Sequence, residues 1–178
     1  MPDTLRWFAL TARHQHERQT ALALGFKGWE TLAPMYRASR VWSDRTKDVE
    51  FPLFAGYVFC RFAAREKGQV LSTPGVVKIV SFGGAPMAVE DREIAEIQAV
   101  MRSGLAVRPW PFLRAGDRVR VERGPLRGIE GTLLRDDGAL RLVVSVELLQ
   151  RSISVELEAD MIAPAGKPQA WRPALLGA

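Results

Sequence analysis

Hydrophobic stretches separated by polar turns make up the first part of the chain. Four stretches rich in aromatic and β-branched side chains are predicted to be strands: residues 5–11, 31–42, 57–62 and 76–81. Three stretches of helix-forming residues are predicted to be helices: residues 13–24, 63–71 and 90–101. The last of these places Ile94, Ile97 and Met101 three or four residues apart on one face. This order of strands and helices predicts an α+β fold rather than a doubly wound parallel sheet.

The second part of the chain has a different pattern. Residues 104–114 contain two prolines and no hydrophobic period, which is typical of an interdomain linker. Short strands follow, and their spacing suits a small β-barrel: residues 118–122, 129–135, 140–147 and 152–157. We therefore divide the chain into an N-terminal domain (1–104), a linker (105–113), a barrel domain (114–164) and a flexible tail rich in proline and glycine (165–178).

The run at residues 116–134, GDRVRVERGPLRGIEGTLL, is the most distinctive local sequence. Valine and arginine alternate over residues 118–121, which places the valines on one face of a half-buried strand. Gly124, Gly128 and Gly131 stand where a tight turn or a close backbone approach is expected. The pattern by itself predicts one corner of a small barrel, with or without a binding function.

The charge of the chain is basic and unevenly distributed. Its net charge is +5, and residues 1–47 hold 8 Lys and Arg against 4 Asp and Glu. This excess is compatible with phosphate contact or with a slightly basic solvated surface. No apolar run reaches the roughly 20 residues of a membrane span, and the first residues do not resemble a secretory signal. We expect a cytoplasmic protein without membrane contact.

Candidate catalytic chemistry is sparse. The single cysteine, Cys60, lies in an apolar strand pattern, which favours a buried side chain over a nucleophile. His14 and His16 have no nearby cysteine or carboxylate partner, so we expect no metal site. Catalytic triads, paired carboxylates and phosphate loops are not found at a workable spacing. The sequence therefore predicts a protein that is not an enzyme and needs no cofactor.

Four segments resemble, in the same order, the NusG/RfaH-type family of transcription elongation (antitermination) factors. Residues 116–134 resemble the KOW motif of that family. Three further segments are similar to stretches of its N-terminal domain: residues 7–11 (WFALT), 52–59 (PLFAGYVF) and 73–77 (TPGVV). The resemblance implies an NGN-type domain, in which helices flank an antiparallel sheet, followed by an SH3-like KOW barrel.

The resemblance also implies that the N-terminal domain binds the clamp helices of the largest RNA polymerase subunit and suppresses pausing. It assigns this contact to an exposed apolar hollow around four aromatic residues: Phe8, Phe54, Tyr57 and Phe59. The alternative is that these side chains belong to the core. A second contact, to the gate loop of the other large subunit, would fall on residues 65–67, whose charges fit a solvated helix start better.

Two further partners follow from the same resemblance. A basic face would meet the non-template DNA strand, although each of its residues also fits an ordinary surface position: Arg13, His14, Arg18 and Arg37. The KOW loop would bind termination factor Rho or a small-subunit ribosomal protein through two apolar residues and two rim arginines: Leu126, Ile129, Arg123 and Arg127. We expect the protein to be a monomer.

The subtype is predicted from smaller details. Residues 32–35 and 42–45 look more like the specialised RfaH and UpxY paralogues than like housekeeping NusG. Some paralogues refold the C-terminal domain as a helical hairpin, but residues 142–162 are rich in β-branched side chains and predict a barrel. The competing interpretation is a ribosome-associated, RNA-binding KOW protein.

Overall fold

The computed structural model describes residues 4–112 and 117–162. The N-terminal module contains these elements in chain order: β1 (Arg6–Ala12), α1 (Glu17–Phe26), β2 (Glu30–Leu32), β3 (Met35–Trp42), β4 (Arg45–Pro52), β5 (Tyr57–Phe62), α2 (Lys67–Leu71), β6 (Val76–Ile79), β7 (Ser81–Phe82), β8 (Ala85–Pro86), β9 (Ala88–Val89) and α3 (Asp91–Arg102). Helices and antiparallel strands are mixed along the chain, which confirms the predicted α+β fold.

The central sheet of this module is antiparallel and has the strand order β2-β5-β1-β6, with β9 paired to the first part of β1. Strands β1 and β5 pair from Arg6 opposite Phe62 to Thr11 opposite Tyr57. Both strands are apolar at nearly every position, so each must bury side chains on both faces of the sheet. The fold therefore needs a cover on each side.

The two covers come from different helices. On one face, Val58 and Cys60 pack in a buried cluster with residues of α1 and α2. On the other face, Phe59 belongs to a cluster that contains the apolar side of α3. Successive residues of β5 point to opposite faces, as the strand geometry requires.

Strands β3 and β4 form a separate two-stranded hairpin. Their register runs from Met35 opposite Pro52 to Trp42 opposite Arg45, which leaves a two-residue turn at Ser43 and Asp44. Side chains in the outer half of the hairpin are exposed on both faces. The hairpin therefore projects from the module.

The C-terminal module is a five-stranded barrel-like sheet with the order β10-β14-β13-β12-β11. Its strands are β10 (Val107–Trp110), β11 (Asp117–Arg120), β12 (Glu130–Asp136), β13 (Ala139–Val146) and β14 (Arg151–Leu157). The side chain of Val121 is buried while Arg118 and Arg120 are exposed, which confirms the predicted alternation. Residues 142–157 of the segment considered for refolding form strands and one short 3-10 turn here.

The predicted linker is wrong over residues 107–110, which form β10 and pair with β14. The two prolines of the segment favour a loop, and for this reason the sequence pattern does not predict the strand. Pro109 can stand in β10 because β10 is an edge strand, where the missing N–H breaks no ladder bond. Only residues 103–106 separate α3 from the barrel. Residues 113–116 of the predicted linker and residues 165–178 of the predicted tail lie outside the described residues.

Helix α3 lies between the two modules and contacts both β1 and β13. Ile94, Ile97 and Val100 form its buried stripe, as the spacing predicts, and Met101 is partly buried. Asp91 and Glu93 stand in its first turn, where the positive end of the helix dipole stabilises carboxylates. The apolar side of α3 belongs to a cluster that includes both the sheet and the barrel core.

Gly131 is required for a close approach between β12 and β13. A Cβ atom at this position would lie 2.6 Å from the carbonyl oxygen of Val143 and 2.9 Å from Leu142 Cδ1. We expect Gly131→Ala to lower the free energy of unfolding by about 1–3 kcal/mol, because the backbone of β13 must move. Denaturant unfolding followed by circular dichroism measures this change.

The matched control is Gly68→Ala in α2, where an added Cβ meets no atom within 4 Å. This variant should be unchanged or more stable by up to about 1 kcal/mol, since alanine favours helix. Equal denaturant midpoints for Gly131→Ala and the unmodified protein would contradict the conclusion that β12 and β13 leave no room for a side chain at residue 131.

Candidate partner-binding surfaces

The four aromatic residues expected to share one hollow do not lie together. Phe8 points to the face covered by α1 and α2, and its ring centre lies 4.5 Å from that of Phe62. Tyr57 and Phe59 belong to the opposite face. The prediction that Phe8 shares a surface with them is wrong, because Phe8 and Phe59 have opposite orientations in the paired strands β1 and β5.

The expectation that the aromatic rings are exposed to solvent is also wrong for Phe54 and Phe59. Phe54 is 2% exposed and Phe59 is 0% exposed, and their rings meet edge to face with centres 5.3 Å apart. They belong to the buried cluster that includes Ile94 and Ile97 of α3 and the core of the barrel. Tyr57 is partly exposed and packs against this cluster. Of the four residues, Tyr57 alone combines an aromatic ring on this face with access to solvent.

A buried carboxylate holds the turn that positions Tyr57. The backbone N–H of Gly56 donates to Oε1 of Glu17 at 2.8 Å, and the N–H of Ala12 donates to the carbonyl oxygen of Gly56 at 2.8 Å. Glu17 is buried. The N–H of Tyr57 donates to the Phe54 carbonyl at 3.0 Å, which closes the turn. This helix-to-turn contact was not predicted, since nothing in the sequence pairs residues 17 and 56.

Beside the shared apolar cluster, α3 also makes polar contacts with the barrel. Arg92 binds Glu96 within the helix, with Nε and Oε1 2.9 Å apart, and its Nη2 also donates to Oε2 of Glu130 on β12. The backbone N–H of Glu147 donates to Oε1 of Glu93 at 3.1 Å. A cleft of about 480 Å³ lies between the two sides, lined mostly by charged and small residues.

Glu93 is the electrostatically strained member of this contact. Partial burial raises its pKa, and repulsion from Glu147, Glu90 and Glu96 raises it further. The hydrogen bond from the Glu147 backbone acts in the opposite direction. A carboxylate with a raised pKa destabilises the folded state when it is ionised.

Two members of the predicted nucleic-acid set are engaged in ion pairs. Nη1 of Arg18 lies 2.6 Å from Oε2 of Glu50, and Nε of Arg37 lies 3.6 Å from Oε1 of the same carboxylate. Arg13 and His14 are exposed in the loop before α1. The structure therefore brings Arg18 and Arg37 together and partly neutralises them, while Arg13 and His14 stay apart from that cluster of charges.

The loop of the KOW-like run keeps three of its four predicted contact residues near the surface. Arg123 and Arg127 are exposed and Ile129 is partly exposed, but Leu126 is fully buried. The prediction of Leu126 as an exposed contact is wrong. Its loop turns inward, with the N–H of Ile129 donating to the Leu126 carbonyl at 3.0 Å and positive φ angles at Gly124 and Gly128.

The surroundings of Cys60 and Glu66 shift the pKa of each side chain. Burial, with a smaller effect of the Glu66 charge, raises the pKa of the Cys60 thiol to about 12, so the thiol stays protonated. Hydrogen bonds from the Ala63 N–H and then from the Trp29 indole lower the pKa of Glu66. Glu66 thus anchors the segment at residues 65–67.

The described part of the chain contains no group of three or more His, Cys, Asp or Glu side chains that could hold a metal ion. None of its helices is long and apolar enough to cross a membrane.

Comparison with known proteins gives a consistent result. A family model described as "Transcription termination factor nusG" matches residues 5–98. The Transcription termination/antitermination protein NusG of Vibrio parahaemolyticus is 30% identical over 136 residues, which are 72% of this chain and 74% of the relative. The protein of the same name from Vibrio vulnificus is 28% identical over 169 residues, which are 86% of this chain and 92% of the relative.

A solved structure described as "Domain interaction in Thermotoga maritima NusG" has a similar fold. It superposes with a TM-score of 0.52 at 22% identity, over 89% of this chain and 96% of that one. The family match spans the whole central sheet and most of α3. The chain belongs to the NusG family of transcription factors.

Proposed function

We propose that this protein is an elongation and antitermination factor that binds the clamp helices of RNA polymerase through its N-terminal module and suppresses pausing. The observation that carries the proposal is the partly exposed ring of Tyr57, which packs against the cluster of Phe54 and Phe59 in a chain of the NusG family. An aromatic side chain at the edge of an apolar cluster is a typical anchor of a protein interface. No covalent chemistry is required, and the protein acts as a non-enzymatic cytoplasmic monomer.

Phe54 and Phe59 are buried in a cluster that also includes the barrel core, so we propose that polymerase competes with the barrel for part of this face. The charged part of the contact is exposed, with the Arg92 side chain 59% and the Glu130 side chain 40% accessible. Exposed ion pairs contribute little to stability, so the shared apolar cluster is what mainly opposes separation of the modules. A polymerase that binds only the undocked state shifts the population toward it.

The other contacts are part of the same proposal. We infer that the barrel recruits Rho or a small-subunit ribosomal protein through Arg123, Arg127 and Ile129, which remain accessible at the loop. Arg13 and His14 are the members of the basic face that are available to the non-template DNA strand. A specialised role of the RfaH or UpxY type is also proposed, on the sequence of residues 32–35 and 42–45.

Substitution of Tyr57 tests the polymerase-binding face. We expect Tyr57→Ala to weaken retention on immobilised core polymerase by about tenfold or more, because it removes an interface anchor. The matched control is Phe82→Ala, which removes an aromatic ring that is 80% exposed at the β7–β8 turn. Phe59→Ala is unsuitable, since emptying a fully buried site would destabilise the fold itself. Equal retention of Tyr57→Ala and Phe82→Ala would refute the proposal that Tyr57 belongs to the polymerase-binding surface.

The ion pair of Arg92 tests the undocking step. Arg92→Ala should lower the stability of the docked state and raise polymerase affinity by up to about fivefold, which is the range of an exposed ion pair. Energy transfer between dyes on Phe26→Cys and Arg135→Cys reports the docked fraction. Arg102→Ala on the same helix is the control, because Arg102 is exposed and forms no ion pair within the described residues. A docked fraction unchanged by Arg92→Ala would contradict the proposal.

The raised pKa of Glu93 gives docking a pH dependence. We infer that the barrel supplies most of the burial of Glu93, so docking favours the protonated form; the docked fraction should increase as the pH falls through the raised pKa and decrease as the pH rises through it. Glu93→Gln keeps an acceptor for the Glu147 N–H without the charge, and should give strong docking with a flatter pH profile. Asp91→Asn, exposed in the same helix turn, should keep the pH dependence. Energy transfer between the same two dye positions measures the docked fraction in the unmodified protein and in both variants.

A further inference from the structure

The path of the chain just before Tyr57 is fixed by backbone hydrogen bonds rather than by side-chain packing. Phe54 is buried in the core, but Ala55 is exposed and Gly56 has no side chain. The φ angle of Gly56 is +84°, in the left-handed region that glycine enters at no steric cost. A Cβ atom added at Gly56 would meet no atom of the described residues within 4 Å, so the backbone conformation, not a lack of space, favours glycine here.

Both backbone polar groups of Gly56 have partners. Its N–H donates to Oε1 of Glu17 at 2.8 Å, and its carbonyl oxygen accepts from the N–H of Ala12 at 2.8 Å. The N–H of Tyr57 donates to the carbonyl oxygen of Phe54 at 3.0 Å. Of these three bonds, only the one to Glu17 involves a side chain. A substitution at residue 17 therefore removes one support of the turn and leaves the backbone bonds in place.

The carboxyl group of Glu17 is buried at a place where an apolar side chain would cost less. Glu17 is the first residue of α1 and is 3% exposed. Removing a carboxyl group from water costs free energy unless hydrogen bonds compensate for it. An apolar residue would avoid this cost but would leave the Gly56 N–H without its acceptor. A buried polar group that satisfies one backbone N–H favours one conformation of the turn over the alternatives.

Tyr57 is the residue whose orientation depends on that conformation. It is the first residue of β5, it pairs with Thr11 at the end of the β1–β5 ladder, and it is partly exposed. An anchor residue binds more tightly when its orientation is fixed before the partner arrives, because less conformational entropy is lost on binding. We propose that Glu17 is a positioning residue of the partner-binding surface: its hydrogen bond to Gly56 fixes the orientation in which Tyr57 meets RNA polymerase.

The inference rests on the proposed function, because it assigns to Glu17 an effect on the surface that Tyr57 provides. Glu17 is buried, so its effect on the affinity for polymerase passes through the turn rather than through a direct contact. This gives Glu17 a property that a general loss of stability does not have. Its effect on affinity must disappear when the Tyr57 side chain is absent.

The test is a double-mutant cycle on the affinity of the full chain for core RNA polymerase. We expect Glu17→Ala to weaken binding by about fivefold, which is the effect of losing the pre-organisation of one large side chain. Glu17→Asp keeps a carboxylate in the first turn of α1 but withdraws the oxygen from Gly56, and should weaken binding similarly. Glu17→Gln keeps an acceptor of the same reach and should bind within about twofold of the unmodified protein. In the Tyr57→Ala background, Glu17→Ala should change affinity by no more than about twofold.

Hydrogen exchange of the Gly56 amide, followed by NMR in the free full chain, measures the positioning contact without polymerase. Exchange should be about tenfold faster in Glu17→Ala and should be restored in Glu17→Gln. The matched control is Ala23→Gly, at a partly exposed position of the same helix, which weakens α1 through helix propensity without removing the Glu17 carboxyl group. This variant should keep both the affinity for polymerase and the Gly56 exchange rate within about twofold.

Three results would overturn the inference alone: equal weakening by Glu17→Ala with and without the Tyr57 side chain, failure of Glu17→Gln to restore binding, or an equal loss of affinity in Ala23→Gly. Each of these results leaves the Tyr57 surface in place. If Glu17→Ala does not fold, the same cycle is measured with Glu17→Asp. If Tyr57→Ala itself does not weaken binding, the proposed surface is wrong and the inference is overturned with it.

Discussion

The pairing of β1 with β5 is the interaction on which the rest of the structure depends. Both strands are apolar on both faces, so their sheet is stable only if it is covered twice. Helices α1 and α2 supply one cover, and α3 supplies the other. The same constraint decides which aromatic rings remain accessible. Tyr57 is the first residue of β5 and lies at the end of the ladder, where the cover is incomplete.

Helix α3 makes two kinds of contact, one apolar and one polar. Its stripe of Ile94, Ile97 and Val100 is buried in an apolar cluster that includes residues of both the sheet and the barrel core. Its charged residues Arg92 and Glu93 meet the barrel through exposed or strained polar contacts. An interface with a large polar component is typical of modules that separate during function.

Much of the fold could be predicted because hydrophobic period and turn chemistry are local signals. The stripe of α3 and the alternation at residues 118–121 were both predicted correctly for that reason. The strand β10 was missed because Pro109 suggests a loop, and only the long-range pairing with β14 shows that the segment lies at a sheet edge. Resemblance to the family, and for Leu126 its place in a glycine-rich loop, predicts exposed side chains at Phe8 and Leu126, but their orientation depends on which face each strand or loop buries. The contact between Glu17 and Gly56 joins residues 39 positions apart and leaves no pattern in the sequence.

The connection between α3 and β10 is only residues 103–106, because β10 belongs to the barrel rather than to a linker. Four extended residues reach about 14 Å at most. A barrel released on so short a tether stays at a high effective concentration near the surface that it has left. Any competitor for that surface must outcompete a tethered rival rather than a dilute one. A ligand that occupies the released barrel removes this rival, so the two binding events reinforce each other, and by reciprocity each raises the affinity for the other.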